Sequence, residues 1–448
     1  MFRRIIYLTT LLCFLVSAAA GAQVSAQSAR TAEPLIRVGI WTNQPNVLLS
    51  ATSPFAIVDR TNGQVLGAYQ AGERVSLAYK NGIIALNGKP LETRSIGVVL
   101  KGKGEQYIEV NKRRYRGDIE VHPTRGETGL TVVNTLPVEQ YLYGIIAREI
   151  SPDWAIEAVK AQAVAARTYA LYNLGKHADD GFDVCATTDC QVYGGRDSEV
   201  PRAIQAVDET RGMVIQYRGQ LIPAYFHSSG GGYTENSENV WGTYRPYLRG
   251  VPDFDQAAPH FKWEKQVAVT ELEELLRQSG YGIGRLQAIE LSRLTAQPVT
   301  APDRGVSGRV KTIRFIGDQG TIQLTGAKLR SLLGLNSTLF DLAVVVPVPK
   351  VFEVEITDSY GDHGKKQIEI NLPPRQEQGW FSDKPNIRRL TGRPDEKLVI
   401  TGYGWGHGVG LSQWGAKAMA ETAPPGDTAY FKEILKHYYQ GVDINKIY

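Results

Sequence analysis

Three absences narrow the reading of this chain before any motif is considered. Only three cysteines occur in 448 residues, and Cys13 lies in the N-terminal apolar run, so a disulfide-stapled scaffold is excluded. Charge of one sign is lacking as well: 50 Lys and Arg stand against 46 Asp and Glu, a net of +4 that includes Arg3 and Arg4. That balance gives no support to nucleic-acid binding by a basic surface. Beyond the N-terminus, no apolar run reaches the ~20 residues that a membrane-spanning helix requires, and no internal repeat is evident. What remains is a globular composition, 42% hydrophobic and 21% charged, long enough for two or three domains.

The N-terminus, MFRRIIYLTTLLCFLVSAAAGAQVSA, joins a basic start to an apolar run from Ile5 to about Ala20 and small residues at Ala18 to Ala22. This reads as a secretory signal peptide over residues 1–26, cleaved near Ala22 or Ala26. Export to a periplasm, a cell wall or the extracellular space is expected, with no stable membrane span after cleavage. Leu12 precedes Cys13 where lipid attachment would need a small residue, so export without lipidation is favoured.

Residues 35–131 alternate short apolar runs (LIRVGIW, FAIVD, VSLAY, YIEVN, GDIEVH) with Gly, Asn and Asp turns, the pattern of a β-rich domain. Helical patterning begins after it. One helix is expected from Pro137 to Ile150, and a second, Ala-rich one from Pro152 to Leu174, with Ser151 as its cap. Residues 132–448 therefore read as a mixed helical and β core with a central cleft, giving an α+β fold. The Pro- and Gly-rich stretch 345–386 reads as an insertion or hairpin excursion.

Within the first helix, Glu149 continues the apolar stripe of Leu142, Ile145 and Ile146. A desolvated carboxylate there has a raised pKa and suits proton donation near neutral pH. The competing reading is a half-exposed helix end, or a carboxylate held ionised by Arg148 or Arg167. Three further constellations stand out. GYGWGHGVG places glycines at 402, 404, 406, 408 and 410, which in an extended strand leaves one face bare and presents Tyr403, Trp405, His407 and Val409 on the other. AYFHSSGGGYTENSENVWG carries His227, Ser228 and Ser229, but it lacks a nucleophile elbow, and adjacent His and Ser on a strand face opposite ways. HADDGFDVCATTDC brings His177, Asp183, Cys185, Asp189 and Cys190 together; a zinc ion with a water or an acid as fourth ligand, or a disulfide closing a tight hairpin, both suit it.

Together these segments resemble the SpoIID/LytB family, named for the stage II sporulation protein D and the amidase enhancer. The resemblance runs from about Leu35 to Tyr448 and is strongest in LPVEQYLYGIIAREISPDWAIEAVKAQAVAARTYAL, FDVCATTDCQVYGG, AYFHSSGGGYTENSENVWG and GWGHGVGLSQWGA. It implies a peptidoglycan lytic transglycosylase that cuts between N-acetylmuramic acid and N-acetylglucosamine and leaves anhydro ends, with no catalytic cofactor. The family's catalytic glutamate maps through GIIARE onto Glu149. Arg167, Tyr225, His227, Ser228, Trp241, Trp405, His407 and Gln413 are expected to bind substrate, and His177, Cys185 and Cys190 to hold a structural zinc. Arg148 departs from the small or neutral residue usual before the glutamate, and if it faced Glu149 it would lower that pKa. The alternative is a non-catalytic wall-binding protein that stimulates a separate cell-wall amidase.

Overall fold

The computed structural model describes residues 32–346, 351–357, 363–369 and 386–448, so the expected signal peptide lies outside the described residues. The fold is α+β. Alternation sets the N-terminal sheets: Ile36 and Val38, Val47 and Leu49, Val75 and Leu77, and Ile119 and Val121 are buried while their neighbours turn outward. A seven-stranded sheet runs in the spatial order Val184–Cys185, Leu35–Gln44, Leu130–Pro137, Asp118–Pro123, Ile96–Leu100, Phe55–Asp59 and Val65–Tyr69. A six-stranded sheet containing Asn46–Ala51 and Val75–Lys80 shares its apolar core. Strand Leu130–Pro137 carries the first sheet past residue 131, and the parallel strand Val184–Cys185 sews the cysteine loop onto its edge.

The helices are α1 (Val138–Tyr143), α2 (Ile146–Glu149), α3 (Ile156–Tyr172), α4 (Pro201–Glu209), α5 (Ser237–Trp241), α6 (Val269–Gln278), α7 (Gly326–Leu333), α8 (Gln413–Glu421) and α9 (Phe431–Tyr438). The single helix expected over 137–150 is broken at Gly144. A Cβ on Gly144 would come within 2.6 Å of the Tyr193 ring and 3.0 Å of the Gly195 carbonyl, so the glycine admits the 193–195 loop against the helix. The second helix starts later than expected. Ser151 uses its hydroxyl and carbonyl to hold a turn, accepting from Asp153 N at 3.3 Å and Trp154 N at 3.3 Å, and regular helix begins only at Ile156.

α3 is buried nearly all round, which explains its alanines: Val159, Ala163 and Ala166 face the N-terminal core, whereas Ala161, Val164 and Ala165 face a second core built with α8 and α9. A third core, from Val267 to Ile400, is formed by α6, α7 and the sheets around them. The described part of 345–386 is an exposed antiparallel hairpin, Val351–Thr357 with His363–Glu369.

One buried ion pair locks α1 to α3. Arg167, with no exposed side-chain area, meets Glu139 through Nε to Oε1 at 2.9 Å and Nη2 to Oε2 at 2.7 Å. Glu139 Oε1 also accepts from Gly212 N at 3.0 Å and the Tyr448 hydroxyl at 2.7 Å. Arg167 therefore does not join the substrate-binding set expected of it, because its guanidinium is used up inside the core. Removing one partner of such a pair strands a buried charge, so Arg167→Ala is expected to cost about 3–5 kcal/mol in urea unfolding, a loss far larger than truncation of an exposed arginine.

Candidate functional site

Glu149 ends α2, where it is half-buried, and at Ile150 the backbone turns extended. Its pKa is raised by burial, against the opposing pull of a Val192 backbone hydrogen bond, a Gln413 side-chain hydrogen bond and the charge of Arg148. Arg148 is exposed, and its stem lies alongside Gly194, where an added Cβ would meet Arg148 Cδ at 2.9 Å. Its charge is the weakest of the named influences, so the departure from the family pattern does not cancel the upward shift.

Gln413 is the first residue of α8, whose cap is the Ser412 hydroxyl accepting from Gly415 N at 3.3 Å. A short parallel pairing, Phe226 with Leu411 and His227 with Ser412, sets this helix start beside the 225–228 segment. The next backbone link is Trp414 N to the Ser228 carbonyl at 3.1 Å. Trp154 packs edge-on against Trp414 with centroids 4.9 Å apart. Glu149, Gln413 and the Ser228 backbone are thereby gathered from three distant stretches of chain.

Next to them lies an aromatic group. Tyr225 and Trp241 are 4.4 Å apart by ring centroids, Trp241 and His407 5.0 Å, and His407 and His227 5.3 Å. Trp241 is 44% exposed, which leaves one face open to a ligand. Both imidazoles are neutral at physiological pH: burial pushes His407 down to about 3 and His227 well below its ordinary value. His407 Nδ1 accepts from Val409 N at 3.1 Å, which leaves the ring proton on Nε2.

The glycine motif differs from the expected strand. Regular strand stops at Tyr403, and Gly404, Gly406, Gly408 and Gly410 all take positive φ. Their missing side chains make room for protein: a Cβ on Gly406 would lie 2.8 Å from that of His227, and one on Gly408 would strike the Arg309 guanidinium. The bare face expected for ligand is thus occupied by the 225–231 segment and Arg309. Consequently Trp405 and His407 part company; Trp405 pairs with His260 at 4.5 Å and His407 with Trp241.

The three glycines after Ser229 form a carboxylate-binding turn that sequence reasoning missed. Gly231 N and Gly232 N donate to Asp255 at 2.7 and 2.8 Å, Gly230 N donates to Asp253 at 3.0 Å, and the Ser229 hydroxyl donates to Asp255. Ser229 is therefore engaged away from His227, whose ring nitrogens have no partner at hydrogen-bond geometry among the described residues. A Ser–His catalytic pair is not formed there.

His177, Cys185, Asp189 and Cys190 converge, with their ligand atoms all within 4.8 Å of one another. The thiols are free, Cys190 Sγ lies 3.4 Å from His177 Nε2, and Asp189 Oδ2 lies 3.3 Å from the same nitrogen. A hydrogen bond from Lys176 holds Asp189 below the usual carboxylate range, and one from Cys190 holds Cys185 below that of a thiol. Two sulfurs, an imidazole and a carboxylate suit zinc by donor type. Asp189 is the acid that completes the set; Asp183 instead accepts from Arg37 N at 2.9 Å.

The family described as stage II sporulation protein matches residues 126–217, and a domain of unknown function matches 243–358. A protein of Brachyspira hyodysenteriae described as uncharacterized is 31% identical over 366 residues, covering 81% of each chain. The amidase enhancer of Bacillus subtilis is 31% identical over 373 residues, which is 78% of this chain and 47% of that protein. Stage II sporulation protein D of the same organism is 28% identical over 330 residues, 70% of this chain and 76% of that one.

The raised pKa of Glu149 has a consequence for folding. Because the folded value lies above the ordinary 4.5, ionisation of Glu149 opposes folding at neutral pH and ceases to do so below that value. Glu149→Gln is expected to raise the melting temperature near pH 7 and to leave it unchanged at about pH 4, as read by calorimetry.

Proposed function

The chain belongs to the SpoIID/LytB family, and on that premise we propose that it is an exported peptidoglycan lytic transglycosylase with Glu149 as its single acid and base. The observation that carries this reading is the half-buried Glu149 carboxyl, its pKa raised by burial, beside Gln413 and an aromatic group in which Trp241 is 44% exposed. Protonated Glu149 donates to the glycosidic oxygen as the C1–O bond of the muramyl residue breaks. As carboxylate it then removes the proton of the muramyl C6 hydroxyl, whose oxygen bonds to C1 and closes the anhydro ring. No water is consumed, so no second carboxylate is needed, unlike ordinary glycoside hydrolysis. Gln413 orients the carboxyl, while Tyr225, Trp241 and His407 offer ring faces to a sugar.

A zinc ion held by His177, Cys185, Cys190 and Asp189 would order the loop that leads to Val192, and its chemistry would be structural. The name of the amidase enhancer supports a second reading, in which the chain binds glycan strands and stimulates a separate amidase.

Mass spectrometry of purified peptidoglycan, intact and amidase-stripped, separates these readings. Anhydro-ended fragments are expected from the wild type, with loss of at least about a thousandfold in rate for Glu149→Gln, a general acid–base contribution at the centre of the usual range. Absence of fragments from both proteins on both substrates would leave the enhancer role. For the metal, dialysis against a chelator is expected to remove one equivalent of zinc and lower the melting temperature, and Cys190→Ser to prevent loading. Unchanged melting with no metal bound would exclude the site.

A further inference from the structure

We propose that a cavity of about 360 Å³, built between the Gly231–Gly232 turn and the 294–297 loop, is a second binding site for a neutral saccharide. This rests on the reading of the chain as a protein of glycan strands. The volume lies within the range of small-molecule pockets, roughly 300–1,000 Å³. Phe261 and Tyr403 contribute apolar walls, their rings meeting edge to face at 5.9 Å. Just outside, Trp405 lies tilted against His260 and is 41% exposed, which extends the aromatic surface to the solvent side.

Polar capacity comes from two carboxamides. Gln297 Nε2 donates to the Ser307 carbonyl at 2.7 Å and Gln256 Nε2 to the Asp253 carbonyl at 3.4 Å. The short bond fixes the Gln297 amide, Gln256 lies at the exposed rim, and neither side-chain oxygen accepts a hydrogen bond among the described residues. Both oxygens are therefore open to hydroxyl or acetamido N–H donors. Gly232 takes φ +90°, and a Cβ there would have only Gln297 Oε1, at 3.4 Å, within 4 Å, so the cavity wall stays bare where a side chain would fill it. Among the described residues, no charged side chain lines the cavity. A phosphate, or the charged ends of a stem peptide, would find no counter-charge, whereas a neutral pyranose with apolar faces and a hydroxyl rim matches both ring walls and amide oxygens. The site lies at the Tyr403 end of the glycine segment whose other end carries Gln413, so one strand contacted at both ends would be held in register on Glu149.

Calorimetric titration of Glu149→Gln protein with a soluble tetramer of β-1,4-linked N-acetylglucosamine tests this independently of catalysis. Binding is expected in that variant. Adding Ala296→Trp, which fills the cavity from an exposed rim position, is expected to weaken it about tenfold or more, and Gln256→Ala to weaken it less. Thr295→Trp, on the same rim, carries the test if Ala296→Trp unfolds. No binding at millimolar saccharide, binding by the filled variants equal to that of Glu149→Gln alone, or competition by a D-alanyl stem peptide would each overturn the inference. Absence of anhydro products from the wild type, with saccharide binding intact, would sink the enzymatic reading alone. Normal anhydro products with undiminished binding by the filled variants would sink only this one.

Discussion

The arrangement around Glu149 depends on a different glutamate, ten residues earlier in the chain. Glu139 lies in the core with donors from Arg167, Gly212 and Tyr448 on its two oxygens. A buried charge is tolerated only when its hydrogen-bonding capacity is met, and here three separate parts of the chain are needed to meet it. α1 is thereby fixed against α3, the Gly212 turn and the C-terminal residue. α2 follows after the break at Gly144, so its direction is inherited from that anchor and from the loop pressed on the glycine.

The contrast between the two glutamates shows how one residue type takes two roles. Glu139 is saturated with donors, one of them a guanidinium in bidentate contact, and it serves the fold. Glu149 is half-buried, the Val192 backbone and the Gln413 amide offset its burial only in part, and the charge acting on it is that of the exposed Arg148. Incomplete compensation is what raises its pKa and suits it to proton transfer. A full complement of donors would have made it a second structural carboxylate.

Legibility in the sequence followed the range of the interaction. Alternation of single residues located the N-terminal strands, and the run ending in Glu149 singled out a carboxylate whose pKa burial raises, because both signals are local. Arg167 was misassigned, because its partner Glu139 lies 28 residues away and nothing local marks the pair. The glycines at 404 to 410 were misread for another reason: a period of two is shared by a strand with a bare face and by a winding segment with positive φ at every second residue. Deciding between them requires knowing that His227, Tyr225 and Arg309 press on those positions. In the sequence Asp189 is one acid among several, since only the fold selects it over Asp183.

The winding segment also explains how distant parts of the chain are brought into one site. From Tyr403 to Gln413 the backbone leaves the third-core sheet, crosses the 225–231 segment in contact with it, and enters α8. Every second residue must be glycine for that crossing to be so close, so side chains between the glycines have only one way to go at each step. Trp405 is directed to His260 and His407 to Trp241 by the same constraint. Close backbone contact therefore does more than pack the domains. It fixes the aromatic group, the helix start bearing Gln413, and through that amide the environment of Glu149.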